Sequence, residues 1–160
     1  MTTNYACTYV SERLSISIAE VAVTSDERVI SVAIRPGVAW EIKLPIWYFP
    51  SVGVLGASTV AIWSVARLYF LIEGRSAIRL DLQNEIHAVY RVTAGVFCIV
   101  SELSVALYDL ERAQVIESFQ SDDVLGASWW HDAHLYVESA SQDALMFSPT
   151  AQGLGYVGVD

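Results

Sequence analysis

Apolar positions along this chain come in blocks of four to eight residues, filled mainly by Val, Ile, Tyr, Phe and Trp and separated by short polar breaks. The stretch from Arg13 to Val23 (RLSISIAEVAV) alternates with period two, as a half-buried strand does, and is expected to form an edge or closing strand. Nothing recurs at the three-to-four-residue spacing of an amphipathic helix. The pattern therefore predicts an all-β protein.

Four segments share a further regularity: an apolar strand, a short turn, then a second strand of small and large apolar residues. They are ISVAIRPGVAWEIKL from Ile30 to Leu44, LYFLIEGRSAIRLDL from Leu68 to Leu82, VFCIVSELSVALYDL from Val96 to Leu110, and LYVESASQDALMFSP from Leu135 to Pro149. The second and third superpose without a gap at a shift of 28 residues. Arg35-Pro36-Gly37 and Glu73-Gly74-Arg75 carry turn residues, whereas Ser101-Glu102-Leu103 fits a turn only loosely. Further strands are expected at 58–65, 88–92, 113–119 and 124–130. Regularly spaced hairpins predict one domain over 1–160, built as a small or partial meander of repeated antiparallel β-hairpins, with a β-sandwich or barrel as the alternative.

The second strands SAIRLDL and SVALYDL, each ending in Asp-Leu (Asp81-Leu82, Asp109-Leu110) before a polar turn, resemble blade repeats of β-propellers of the WD-like and quinoprotein-like kinds. The fourth hairpin has Ser148-Pro149 at that place and the first has Lys43-Leu44. The glycine-histidine and tryptophan-aspartate signatures of true WD repeats are absent. The resemblance extends over Val52 to Pro149 and implies propeller-like sheets with ends that need covering.

Composition sharpens this picture. With 160 residues, 54% of them hydrophobic and 17% charged, the chain can bury enough surface to fold without help. Strands buried on both faces would account for so high an apolar fraction. Nine basic against eighteen acidic residues give a net charge of −9, which disfavours nucleic acid and anionic membrane surfaces and favours a basic partner. The 23 uncharged residues from Leu44 to Ala66 are long enough to span a membrane. Pro45, Pro50, Gly53 and Gly56 would break such a helix, and the string VLGAS recurs at 124–128 where charges follow closely, so no span is expected. The start MTTNYACTYVSERL lacks a basic region followed by an apolar run, which makes the cytoplasm the expected compartment. Cys98 reads as a buried apolar residue, Cys7 as an exposed one, and their spacing suggests neither zinc nor redox chemistry.

Catalytic chemistry finds little support. His131-Asp132-Ala133-His134 unites two histidines with a carboxylate, but a metal needs a convergent set of ligands, and a turn does not ensure that His131 and His134 converge. His87 with Asp132 and a serine could be imagined as a triad, yet no nucleophile-elbow motif accompanies them. The acidic pairs Asp26-Glu27 and Asp122-Asp123, and the acids between Glu102 and Glu111, read as solvated loop residues. The glycines in the GLGYVGVD tail precede no helix that could hold a phosphate, and the tail is expected either as a last strand or frayed. No cofactor is expected.

Recognition fits better. Trp47-Tyr48-Phe49 and Trp129-Trp130 are aromatic clusters, and alternation places one of Trp129 and Trp130 inward and the other outward. A short, acidic, β-rich chain of this character is similar to immunity proteins that neutralise bacterial toxins. The likeness implies a small acidic protein-binding module that occludes a basic toxin domain and is not an enzyme. Contacts are expected at Asp122, Asp123, Trp130 and Asp132, with Glu73 and Glu102 on equivalent turns of other repeats. The alternative is a metal-dependent or ligand-binding β domain using His131, Asp132 and His134.

Overall fold

A computed structural model describes residues 14–46, 49–141 and 144–159, together with the backbone of 6–10. Short turns split the apolar blocks into antiparallel meanders, each strand pairing with the next. The first sheet is β1 (Ala6–Val10), β2 (Ser15–Val23), β3 (Glu27–Arg35) and β4 (Val38–Pro45). The second is β5 (Ser51–Val54), β6 (Thr59–Ser64), β7 (Arg67–Ile72) and β8 (Ile78–Asp81). The third is β9 (Ile86–Thr93), β10 (Val96–Ser101), β11 (Ser104–Asp109) and β12 (Gln114–Gln120). The fourth is β13 (Leu125–His131), β14 (His134–Ser139), β15 (Leu145–Phe147) and β16 (Tyr156–Val159). The architecture is the all-β, propeller-like meander that the pattern predicts. The chain divides into two compact units, Met1–Gln83 and Asn84–Asp160.

Each unit packs two of its sheets face to face. In the first, β2, β3 and β4 alternate in burial, and Ile16, Ile18, Ile30, Val32, Ile42 and Leu44 meet Val60, Ile62, Tyr69 and Leu71 of the second sheet. In the second, Cys98, Val100, Val105 and Leu107 meet Leu125, Leu135, Val137, Leu145 and Phe147. Burying each such side chain contributes about 2 kcal/mol. Burial on both faces is real but selective. It holds for β10 and nearly all of β6, β7 and β11, whereas β2 and β14 bury one face.

Two turns have the chemistry expected of them. Gly37 and Gly74 both sit near φ +80°, in the position where a Cβ would be strained. Within the glycine-rich tail, Gly155 has φ +58°, and a Cβ there would collide with the carbonyl oxygen of Ser148. That crossing lets the tail turn back as β16, a last strand.

Two expectations need correction. The segment 13–23 is no edge: β2 lies between β1 and β3, and the edge is the unanticipated β1, while Arg13 falls outside the described residues. The four hairpins are not structurally equivalent. Those at 30–44 and 68–82 are the third and fourth strands of their sheets, whereas those at 96–110 and 135–149 are the second and third. The uncharged run 44–66, by contrast, holds strands as expected, β5 and β6. Among the described residues no helix is long and apolar enough to cross a membrane.

Candidate functional site

Charge is divided unequally between the units. Residues 1–83 hold seven Lys or Arg against seven Asp or Glu, while residues 84–160 hold two against eleven, so the whole net charge of −9 resides in the second unit. The first unit also neutralises its charges locally. Arg67 reaches Glu27 at 2.8 Å and Asp81 at 3.3 Å, and Arg79 reaches Asp81 at 2.9 Å. The guanidinium of Arg67 holds the Glu27 carboxyl below its ordinary range. Glu73, an expected contact residue, pairs with Arg35 of the neighbouring hairpin tip. Beside this pair the Trp40 indole donates to the Arg75 carbonyl at 2.9 Å.

In the second unit, Glu102, Asp122 and Asp123 come together at one end. The Leu125 amide donates to the Glu102 carbonyl at 2.7 Å, the Ser121 amide to that of Leu103 at 2.9 Å, and the Glu102 amide to that of Glu85 at 2.8 Å. Asp122 is exposed and Glu102 half-buried. Asp123 has a different task. Its carboxylate accepts from the Val124 amide at 2.9 Å, the Ser141 amide at 2.6 Å and the Ser139 hydroxyl at 3.0 Å, stitching the β12–β13 connection to the one after β14. Those bonds from Ser141 and Ser139 hold its carboxyl below the ordinary range. A cleft of about 390 Å³ opens here, lined by Phe119, Leu145 and Tyr156 together with Ser121, Asp122 and Ser141.

Asp132 belongs to the other end of β13. At about 3.3 Å per strand residue the two ends lie up to about 20 Å apart, so Asp122 and Asp132 do not form one patch. Asp132 and Ala133 both have positive φ, 47° and 63°, as a tight two-residue hairpin turn requires. His131 Nε2 is 3.1 Å from the Asp132 carboxylate, whereas His134 Nδ1 contacts the Asp132 carbonyl at 2.8 Å. Among the described residues no group of three or more His, Cys, Asp or Glu is placed to hold a metal ion. His87 is exposed on β9.

The tryptophan pair splits as alternation requires, with the inward and outward members identified. Trp130, the expected contact residue, is half-buried against the core, its ring 6.1 Å from that of Tyr90. Trp129 is the outward one, 42% exposed, and stacks on Tyr136 at 5.5 Å with only 5° between the planes. Trp47 and Tyr48 lie outside the described residues; Phe49 is exposed, with the Arg28 guanidinium 5.6 Å from its ring. The sequence reading missed Glu117, whose carboxylate accepts the Leu154 amide at 2.5 Å and anchors the loop into β16. Cys98 is buried and free, its thiol pushed up to about 12 by burial. The buried Ser101 and Ser104 hydroxyls bond each other at 2.7 Å. The arrangement is suited to recognition by charge and aromatic surface.

Comparison with known proteins shows the fold. The chain is similar to the crystal structure of HIRA(644-1017), at 14% identity and a TM-score of 0.57, over 98% of this chain and 56% of that one. It is also similar to the WD40 domain from Toxoplasma gondii coronin, at 11% and 0.62, over 96% and 48%. For apo AztD from Citrobacter koseri the figures are 10% and 0.55, over 97% and 60%. The chain thus spans about half the length of the structures it matches. No protein-family model matches it, and no curated protein does.

Proposed function

We propose that this chain is a protein-binding module whose acidic second unit captures a basic partner, and that in its specific form it is a cytoplasmic immunity protein occluding a bacterial toxin domain. The observation that carries the reading is that residues 84–160 hold the entire −9 charge, whereas residues 1–83 balance seven cations against seven acids and pair several of them. Such a surface speeds encounter with a positively charged protein and fixes its orientation. Propeller-type sheets support the reading, being a fold much used for protein interaction. A site grafted on that fold still has to supply the specificity. The exposed acids Asp122 and Asp132 are its contact candidates, while Asp123 serves mainly by shaping its turn. A catalytic role has no comparable support.

Co-expression with the C-terminal domain encoded by the adjacent gene tests the specific form. Growth should be rescued, and Asp122→Arg with Asp132→Arg should weaken the rescue, whereas Glu41→Arg on the balanced unit should not. Unchanged protection by the double variant would overturn acidic capture. Failure to bind or protect against that domain would overturn the immunity form.

A further inference from the structure

Antiparallel sheets that expose one face to water carry polar residues on it. The first sheet largely obeys: Ser15, Ser17, Glu41 and Lys43 are exposed on β2 and β4, and its exposed valines, Val21 and Val23, lie near the β2–β3 turn. The fourth sheet does not. Its inward row is Leu135, Val137, Leu145 and Phe147. The opposite row, read across the register, is Trp129, Tyr136, Met146 and Gly158. Gly158 has no heavy atom within 4 Å of a would-be Cβ, so the row is uncovered at the β16 edge. Beside it His134 stands 6.4 Å from Tyr136, and Glu138 is exposed two residues further along β14. Residues 113–160 contain no Lys or Arg and seven Asp or Glu. An aromatic face in a segment without a single basic residue is complementary to cations.

From this we infer that the outward face of the fourth sheet is the docking surface for the basic partner, and that it takes arginine side chains presented beside apolar ones. The inference rests on the proposed function and deepens it. A guanidinium within about 6 Å of an indole is attracted by its face, and Trp is the strongest such acceptor. Glu138 and Asp132 supply carboxylates at the margin, and Met146 supplies a deformable apolar contact. Charge selects this occupant over a second copy of the chain, because a symmetric pairing would bring two units of eleven acids and two cations together.

Three labelled eight-residue peptides test it on the whole protein by fluorescence anisotropy: one alternating Arg and Leu, one Arg and Ser, one Glu and Leu. The Arg/Leu peptide should bind in a salt-dependent manner, the Arg/Ser peptide roughly tenfold more weakly, and the Glu/Leu peptide not at all. Trp129→Ser should weaken Arg/Leu binding by roughly tenfold, and Trp129→Phe by far less. Glu41→Gln, on β4 of the charge-balanced first unit, should leave it within about twofold. Circular dichroism of each variant, with Trp129→Phe as the conservative control, separates misfolding from lost contact. Binding weakened by Asp122→Asn and not by Trp129→Ser would overturn the face while leaving the acidic module intact. Absence of binding by either basic peptide would overturn both. A concentration-dependent increase in mass abolished by Trp129→Ser would assign the face to a second copy and overturn the arginine partner.

Discussion

Asp123 shows how one side chain changes meaning once its neighbours are known. In the sequence it is half of an acidic pair and a natural contact residue. In the fold it accepts from Val124, Ser139 and Ser141 and ties two connections together. Its carboxyl is held below the ordinary value of 3.8, chiefly by Ser141 and Ser139. A depressed carboxyl adds stability that is fully present above the unfolded value and is lost as pH falls through the folded one. Asp123→Asn should therefore lower the urea midpoint at neutral pH, and the gap from wild type should close as the solution is acidified below 3.8. A gap that persists unchanged in acid would show that the charge is irrelevant. The Trp129-Trp130 pair makes a second point at this scale. Alternation required one ring to face each way, but the phase was set by the irregularity between Leu125 and Ser128, opposite only Ser139 and Val137. Such a bulge switches the inward face from one tryptophan to the other. Nothing in the string LGASWW announces it.

Among the elements, most of the longer strands were legible and two short ones were not. The strands at 59–64, 86–93, 114–120 and 125–131 stand where apolar runs required them, while β1 and β5 sit in sequence without a distinctive pattern. Repeat equivalence was misread for a physical reason. The 28-residue shift matches β7–β8 to β10–β11, yet burial follows position in the sheet: β8 is half-exposed while β11 is buried. Similar apolar composition serves a central strand or an outer one, because what it packs on is decided elsewhere. The β6–β7 turn provides a test of local geometry. Val65 sits at φ +54° between the paired Ser64 and Arg67, a conformation costly for a β-branched residue. Val65→Asn should stabilise the fold by about 1 kcal/mol, read as a higher urea midpoint with an unchanged slope. A lower midpoint would mean that the valine methyls contribute more in packing than the backbone loses.

For the whole chain, the decisive quantity is where the charge sits. A net charge of −9 spread evenly would be a remark about solubility, but it is carried entirely by residues 84–160. Those residues contain two arginines, one of which, Arg112, lies 3.7 Å from Asp109. Self-repulsion among eleven acids opposes the compact state of that unit and weakens as salt screens it. In residues 1–83 the electrostatic contribution has the opposite sign, since ion pairs such as Arg67 with Glu27 are attractive and lose strength on screening. Raising ionic strength from about 0.01 M to about 0.15 M shortens the screening length from about 30 Å to about 8 Å, which is enough to separate the two cases. Amide hydrogen exchange at the two salt concentrations should thus slow in β9–β16 and stay level or quicken slightly in β2–β8. A basic partner would produce the same protection of the second unit at low salt, because it neutralises the acids that salt merely screens. Equal responses in both halves would show that the acids are too well solvated to repel one another, and would remove the electrostatic basis for a basic partner.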